Sequence, residues 1–193
     1  MEEYDILKKF MLSVSPLGEE ELSAFTAIFQ PVTYKRKTVL TTVGETERYL
    51  YFVLDGVQRS FHLDDTHPET TIVFTYPHSF SGVVDSFLTQ TPSKYYFETL
   101  TASTMLRAPF HQLQALMDQH HSMERWVRVS ISFALKGVLE RQIELSSFSA
   151  EEKFKVVLKR SPHILQLIPH KYLASYMGID PSTFSKLMAS VRI

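Results

Sequence analysis

The 193-residue chain carries 20 Lys and Arg against 21 Asp and Glu, and 44% of its residues are hydrophobic, as in an ordinary globular protein. It has no cysteine, which excludes disulfides, thiolate zinc sites and cysteine-ligated iron–sulfur clusters. The longest apolar run, around Tyr49 to Leu54, is far shorter than the roughly 20 residues of a membrane-spanning helix, and the acidic start "MEEYDILKK" is no secretory signal. We therefore expect a cytoplasmic protein without a membrane partner.

The near-zero net charge conceals a difference between the two ends of the chain. Residues 1–140 hold 12 Lys and Arg against 17 Asp and Glu, whereas residues 141–193 hold 8 against 4. A basic C-terminal segment that follows a more acidic one is typical of a small domain that binds an anionic polymer and is attached to a larger domain with another function. Segments this short also differ in charge by chance, so the asymmetry is weak support by itself.

The chain opens with a helical pattern and then changes to short strand-like runs. Residues 2–29 place Leu22, Phe25 and Phe29 three and four positions apart, as on one helix face. From Val32 to about Pro109, β-rich runs such as "YLYFVLDG" and "TTIVFTY" alternate with turn residues. Many short strands at this spacing predict an antiparallel barrel or roll. The predicted fold class is therefore α+β.

Between Pro109 and Pro162 the sequence predicts a short helix followed by a long one, from about Ser122 to Leu145. Its apolar residues fall in two stripes: Val127, Ile131, Leu135 and Val138 form one, and Trp126, Val129 and Phe133 the other. Two stripes suggest that one face packs on the strand domain and that the other, the Val127 to Val138 stripe, packs on the same helix of a second copy and forms a homodimer interface. The alternative is a helix buried within a single chain.

The C-terminal segment has the pattern of a helix-turn-helix. Ser149 and Glu152 form a capping-box pattern for a preceding helix. Pro169 suits the first turn of a helix from His170 to Met177 that Gly178 ends. Asp180 and Pro181 then start a second helix, about Ser182 to Val191. The polar residues predicted to face DNA are His170, Lys171 and Ser175 on the first helix and Ser182, Thr183, Ser185 and Lys186 on the second. An ordinary αα-corner is the alternative.

The eight histidines do not form a metal-ligand pattern. His120 and His121 are adjacent on a helix and diverge by about 100°. His62, His67 and His78 fall in the strand region, but no histidine pair occupies positions i and i+2 of a strand. Phosphate loops, nucleophile elbows and paired-carboxylate motifs are also missing from the sequence. We therefore predict no metal and no enzymatic activity.

The order of strand domain, long helix and helix-turn-helix resembles the Crp/Fnr family of bacterial transcription regulators. "VGETERYLYFVLDGVQRSF" looks like the family's cyclic-nucleotide-binding β-roll, a double-stranded β-helix, and "IPHKYLASYMGIDPSTFSKL" is similar to the DNA-binding helices of its shorter members. The resemblance implies a sensor domain over residues 1–118, a dimerisation helix over 119–146 and a DNA-binding domain over 147–193. It also implies binding to double-stranded DNA with two-fold symmetric half-sites about 34 Å apart, with RNA polymerase as a further candidate partner. Too few residues separate Arg160 from Pro169 for a β-hairpin wing.

The sequence departs from the family in the phosphate cassette. Gly82 is followed by Val83 where the family has glutamate, and the neighbourhood of the family's arginine reads Lys94-Tyr95-Tyr96-Phe97. A lysine cannot reproduce a planar bidentate clamp, so cyclic AMP is not the expected ligand and no cofactor is predicted. The residues of the candidate effector pocket are Phe80, Gly82, Val83, Lys94, Tyr95 and Tyr96. These aromatic groups would either accept an unidentified apolar effector or simply fill the roll.

Two functions from different classes follow from this reading. The first is a dimeric, sequence-specific DNA-binding regulator whose effector, operator, target genes and direction of regulation the sequence leaves open. The second is a ligand-binding or protein-interaction module with a degenerate helix-turn-helix.

Overall fold

The structure, a computed structural model, describes residues 2–190. The chain divides into two compact units. The first comprises the chain up to Ser60 together with Phe74–Phe133. The second joins Phe61–Val73 to the chain from Ala134 onward. This division differs from the predicted domain boundaries, because it falls inside the long helix and assigns one internal strand segment to the C-terminal unit.

The helices begin and end close to local sequence signals. They are α1 (Glu2–Val14), α2 (Glu19–Ala27), α3 (Val84–Thr89), α4 (Phe110–Gln119), α5 (His121–Ser147), α6 (Ala150–Arg160), α7 (Ile164–Leu167), α8 (His170–Met177) and α9 (Pro181–Ser190). The predicted capping box is present at the start of α6, where Ser149 and Glu152 satisfy each other's backbone N–H groups. The predicted bounds of α8 are confirmed, whereas Val191, the predicted end of the last helix, lies outside the described residues.

The strands form two four-stranded sheets, as a roll requires. They are β1 (Gln30–Tyr34), β2 (Val39–Thr41), β3 (Tyr49–Asp55), β4 (Gln58–His62), β5 (Thr70–Thr75), β6 (Phe80–Ser81), β7 (Tyr96–Thr99) and β8 (Ser103–Pro109). One sheet has the order β1-β8-β3-β6 and the other β2-β7-β4-β5. The pairs with a determined register, β1 with β8, β2 with β7, and β3 with β6 and β8, are antiparallel. The predicted α+β fold with an antiparallel roll is confirmed.

Strand β3 shows why the first unit has two cores. Successive side chains of a strand point to opposite faces. Tyr51 and Val53 accordingly enter an inner cluster with Phe97 of β7 and Met105 of β8, which places this cluster between the two sheets. Phe52 points the other way, into an outer cluster built with the helices. The buried members of that outer cluster are Leu7, Met11, Leu22, Phe25, Phe29, Phe52, Phe87, Leu106, Ala108, Leu113, Leu116, Met123 and Trp126.

Four elements do not correspond to any predicted helix or strand run: α3, α7, β1 and the two-residue strand β6. The short helix α7 occupies the interval between Arg160 and Pro169, in which the sequence predicted no hairpin wing. None of the helices between residues 2 and 190 combines the length and the apolar content that crossing a bilayer requires.

Candidate DNA-binding and effector sites

The turn between α8 and α9 is closed by backbone hydrogen bonds around a glycine. Gly178 has φ 61°, in the left-handed region that glycine tolerates best. Its N–H donates to the carbonyl of Ser175 at 3.0 Å, and the N–H of Ile179 donates to the carbonyl of Ala174 at 3.1 Å. These bonds satisfy the last carbonyls of α8 and turn the chain sharply. The chain can therefore enter α9 within three residues.

The start of α9 is fixed by its predicted cap. The Asp180 carboxylate accepts the backbone N–H of Ser182 at 2.7 Å. Hydrogen bonds from Ser182 lower the pKa of Asp180, so the carboxylate is charged at neutral pH. Phe184, one turn further on, is 1% exposed, and its ring lies 5.5 Å from that of Phe154 and 5.2 Å from that of His170. One anchor thus holds α9 against both α6 and α8.

Most of the residues predicted to contact DNA lie on the surface of this helix pair. Ser182, Ser185 and Lys186 are exposed near the start of α9, and Thr183 is half-buried. On α8, His170 and Lys171 are exposed. The Lys171 ammonium lies 4.7 Å from the centre of the Tyr172 ring, a distance typical of a cation–π contact. The prediction for Ser175 needs correction.

The hydroxyl of Ser175 is already engaged within the second unit. It donates to the carbonyl of Glu69 at 2.9 Å and accepts the N–H of Thr71 at 2.9 Å. The residue is half-buried. A hydroxyl that bridges two backbone groups in this way is not presented to a phosphate. Ser175 therefore fastens α8 to the segment Phe61–Val73, a role that no local sequence signal indicated.

The long helix α5 exposes an apolar face. Ile131, Leu135 and Val138 are 42%, 55% and 63% exposed, although all three were predicted at an interface. Leu139 and Ile143, at 56% and 58%, extend the same stripe by one and two helical turns, which the sequence analysis missed. A row of exposed apolar side chains along one helix is typical of an interaction site.

Each of the two predicted stripes of α5 contains one residue that the structure places differently. Trp126 is 2% exposed and its indole N–H donates to the carbonyl of Met11 at 2.9 Å. Val127, which we assigned to the dimer interface, is half-buried against the outer core. Phe133, which we assigned to the face that packs on the strand domain, is 59% exposed. The part of α5 that packs on the core of the first unit therefore ends before Phe133.

The predicted effector pocket divides between the two cores. Phe80 belongs to the outer core, where its ring lies 5.4 Å from that of Phe10 and 5.6 Å from that of Trp126. It is therefore not a pocket residue. Val83 is 2% exposed in the inner cluster, with Tyr95 partly buried against it. Tyr96 is half-buried and Lys94 is exposed. These residues are not brought together around one site.

The residues of the cassette do not fit a cyclic nucleotide phosphate. Residues 80–99 contain no arginine. The backbone N–H of Val83 donates instead to the carboxylate of Glu47 at 3.4 Å. Glu47 is 2% exposed, and burial raises its pKa although its hydrogen bonds act in the opposite direction. The inner core beside it is filled with aromatic side chains such as Tyr51 and Phe97. The position of Glu47 could not be predicted, because no motif marks it.

Comparison with known proteins agrees with this architecture. Residues 31–120 match the family described as the cyclic nucleotide-binding domain. The chain is similar to the structure of FixK2 from Bradyrhizobium japonicum, at 15% identity and a TM-score of 0.74, over 84% of this chain and 83% of that one. It also resembles a protein from Eubacterium rectale assigned to the Crp/Fnr family of transcriptional regulators, at 12% identity and a TM-score of 0.70, over 90% and 82%.

A third similar structure is the catabolite activator protein of Thermus thermophilus, at 21% identity and a TM-score of 0.57, over 90% of this chain and 83% of that one. No curated protein sequence matches the chain. Residues 31–120 therefore match the cyclic nucleotide-binding domain family, and the chain shares the fold of these three structures.

Proposed function

We propose that the protein is a homodimeric regulator of transcription that binds DNA in a sequence-specific manner. The observation that carries the proposal is the α8–α9 unit. Phe184 packs in the interior of this unit, whereas Ser182, Ser185 and Lys186 are exposed at the start of α9. In a helix-turn-helix, the N-terminal residues of the second helix approach base edges in the major groove. Lys186 would contact guanine or phosphate, and the serine hydroxyls would serve either.

The exposed face of α5 supports a dimer as the active form. Ile131, Leu135 and Val138 occupy positions that, in a parallel pair of helices, would meet their counterparts across a two-fold axis. Two copies would then present two α9 helices to a two-fold symmetric site. The proteins that share the fold include one assigned to the transcriptional regulators of the Crp/Fnr family, which supports a role in transcription.

Phosphate contacts would set the orientation on the duplex. Lys171 lies on α8, the helix that crosses the DNA backbone in this class of motif, and its exposed ammonium is suited to a phosphate oxygen. His170, at the first turn of the same helix, is the second candidate.

The experiment that tests the proposal is a selection from random duplex DNA at one fixed, moderate salt concentration, with no ligand added. We expect an enriched inverted repeat with half-site centres about 34 Å apart. Failure to enrich any sequence, together with only weak and salt-sensitive binding, would contradict the proposal and favour a protein-interaction module instead.

A further inference from the structure

The carboxylate of Glu47 is fully enclosed between the β2–β3 connection and the cassette. Its Oε1 accepts the backbone N–H groups of Arg48 at 3.0 Å and Tyr49 at 3.1 Å. Its Oε2 accepts the hydroxyl of Thr41 at 2.6 Å and the N–H of Val83 at 3.4 Å. A buried carboxylate normally needs such donors to offset the cost of leaving water. Here four donors from three parts of the chain converge on one internal carboxyl group.

The same carboxylate closes the approach to the cassette glycine. Gly82 has φ 125°, a backbone conformation that glycine alone adopts readily. A Cβ atom built on Gly82 would lie 3.7 Å from Oε2 of Glu47 and 3.3 Å from the carbonyl oxygen of Tyr49. The surface of the Gly82–Val83 peptide that faces the interior of the roll is therefore already in contact with the chain's own carboxylate.

The surroundings of Glu47 are poorly solvated and disfavour negative charge. Tyr51 is 2% exposed beside it, and burial, followed by the charge of Glu47, raises the pKa of the Tyr51 hydroxyl, so this neighbour is neutral. A cation close to this neighbour is Arg107, whose guanidinium lies 4.5 Å from the centre of the Tyr49 ring. A phosphate placed against Val83 would have to displace the Glu47 carboxylate from the same amide, and its own charge would be costly in this poorly solvated site.

We propose that Glu47 takes the place of an anionic ligand in the cassette, so that the roll is closed to cyclic nucleotides and stays folded without one. The carboxylate satisfies the Val83 amide that would otherwise bind a ligand anion. The packed interior, with Val83 at 2% and Phe97 at 1% exposure, leaves the amide no other partner among the described residues. The inference concerns this domain alone and does not depend on the proposed binding to DNA.

Two measurements on the full chain test the proposal. The first is a titration of the wild-type protein with cyclic AMP and cyclic GMP, followed by calorimetry and by the backbone amide signal of Val83. We expect no heat of binding and no shift of that signal at millimolar nucleotide. Binding at micromolar concentration, accompanied by a shift of the Val83 amide, would overturn the inference.

The second measurement asks whether the space that Glu47 fills accepts a free carboxylate. Glu47→Ala should lower the melting temperature, and 100 mM formate should raise it again by more than it raises that of the wild type, while chloride at equal ionic strength should not. Glu45→Ala, a change to an exposed residue of the same connection, should show neither effect. Equal responses to formate in Glu47→Ala and wild type would contradict the proposal.

If Glu47→Ala does not fold, Glu47→Gln provides the same test. The amide has the same shape and fills the space without the charge. The variant should fold and give the same response to formate as the wild type. A response to formate that exceeds the wild-type response would show that the side chain does not occupy the anion position, and would overturn the inference.

Discussion

The carboxylate of Glu144 on α5 is bound by the guanidinium of Arg160 at the end of α6. The Glu144 side chain is 7% exposed and that of Arg160 is 47% exposed. Arg141, one turn before Glu144, donates to the other carboxylate oxygen at 3.0 Å and also donates to the carbonyl of Tyr176 on α8. Its guanidinium stacks on the Tyr176 ring at 4.0 Å. The end of the long helix is thereby tied to both helices that support α9.

Breaking this network should destabilise the second unit. Glu144→Ala leaves the Arg141 guanidinium, 12% exposed, without its carboxylate, and removing one partner of a buried pair typically costs about 3 kcal/mol. The free energy of unfolding, measured by urea denaturation, should fall by roughly that amount. Glu140→Ala is the matched control, because its pair with Lys136 on the same helix spans 3.9 Å and is exposed. It should cost less than about 0.5 kcal/mol. Equal losses in the two variants would contradict a structural role for the network.

The same network predicts a sensitivity to acid. Burial by itself would raise the pKa of Glu144, but the hydrogen bonds from Arg160 and Arg141 lower it below the ordinary value of 4.5. A carboxyl with a lowered pKa in the folded state adds stability above its unfolded pKa and loses it as the pH falls through the folded value. The urea midpoint of the wild type should therefore fall more steeply below pH 4.5 than that of Glu144→Gln. Parallel curves for the two proteins would refute the assignment.

A charge on the exposed face of α5 should break the dimer. Leu135 is 55% exposed in the single chain, and each dimer would bury two copies of it. Burying a leucine side chain is worth roughly 1.5–3 kcal/mol, so Leu135→Asp should weaken self-association by about a hundredfold or more. Analytical ultracentrifugation measures this directly. Glu140→Gln, five positions on and therefore about 140° round the helix, should leave the dimer intact. An unchanged dissociation constant for Leu135→Asp would place the dimer contact elsewhere.

The elements that the sequence predicted well are those with local signals. The capping box of Ser149 and Glu152 and the proline and glycine that bound α8 each act within a few residues. The two residues of β6 and the six of α3 are too few for a periodic pattern. Periodicity located the apolar residues of α5, but it could not tell the packed face from the exposed one.

The parts of the site that escaped prediction depend on contacts between distant positions. Glu47 reaches Val83 across 36 residues, and Ser175 reaches Thr71 across 104. Glutamate and serine are both common on protein surfaces, so composition did not indicate that these two residues are buried or half-buried. Phe80 was predicted to line the effector pocket together with Val83. The alternation along its strand turns it to the opposite core.

Ser175 provides a test of the contact between α8 and the segment Phe61–Val73. Ser175→Ala removes both hydrogen bonds, to the Glu69 carbonyl and from the Thr71 N–H, and the loss of each such bond costs roughly 0.5–1.5 kcal/mol. The Thr71 amide should therefore exchange its hydrogen faster in the variant. Ser190→Ala is the control, because it removes a hydrogen bond to the Lys186 carbonyl that lies wholly within α9. It should leave the exchange rate of the Thr71 amide unchanged. Weaker DNA binding with unchanged Thr71 exchange would restore the predicted phosphate contact.

The two exposed lysines of the helix-turn-helix should affect DNA binding in different ways. Lys171 would meet a phosphate, so Lys171→Ala should weaken binding to every duplex and reduce the slope of log affinity against log salt by about 0.9. Lys186 would reach a base edge, so Lys186→Ala should cost roughly 1–3 kcal/mol on the selected site and much less on unrelated DNA. Titrations of both variants at several salt concentrations, with Lys136→Ala on α5 as the control, separate the two roles. If neither substitution changed affinity or salt dependence, α8 and α9 would not be the DNA-binding surface, and the proposed function would fail.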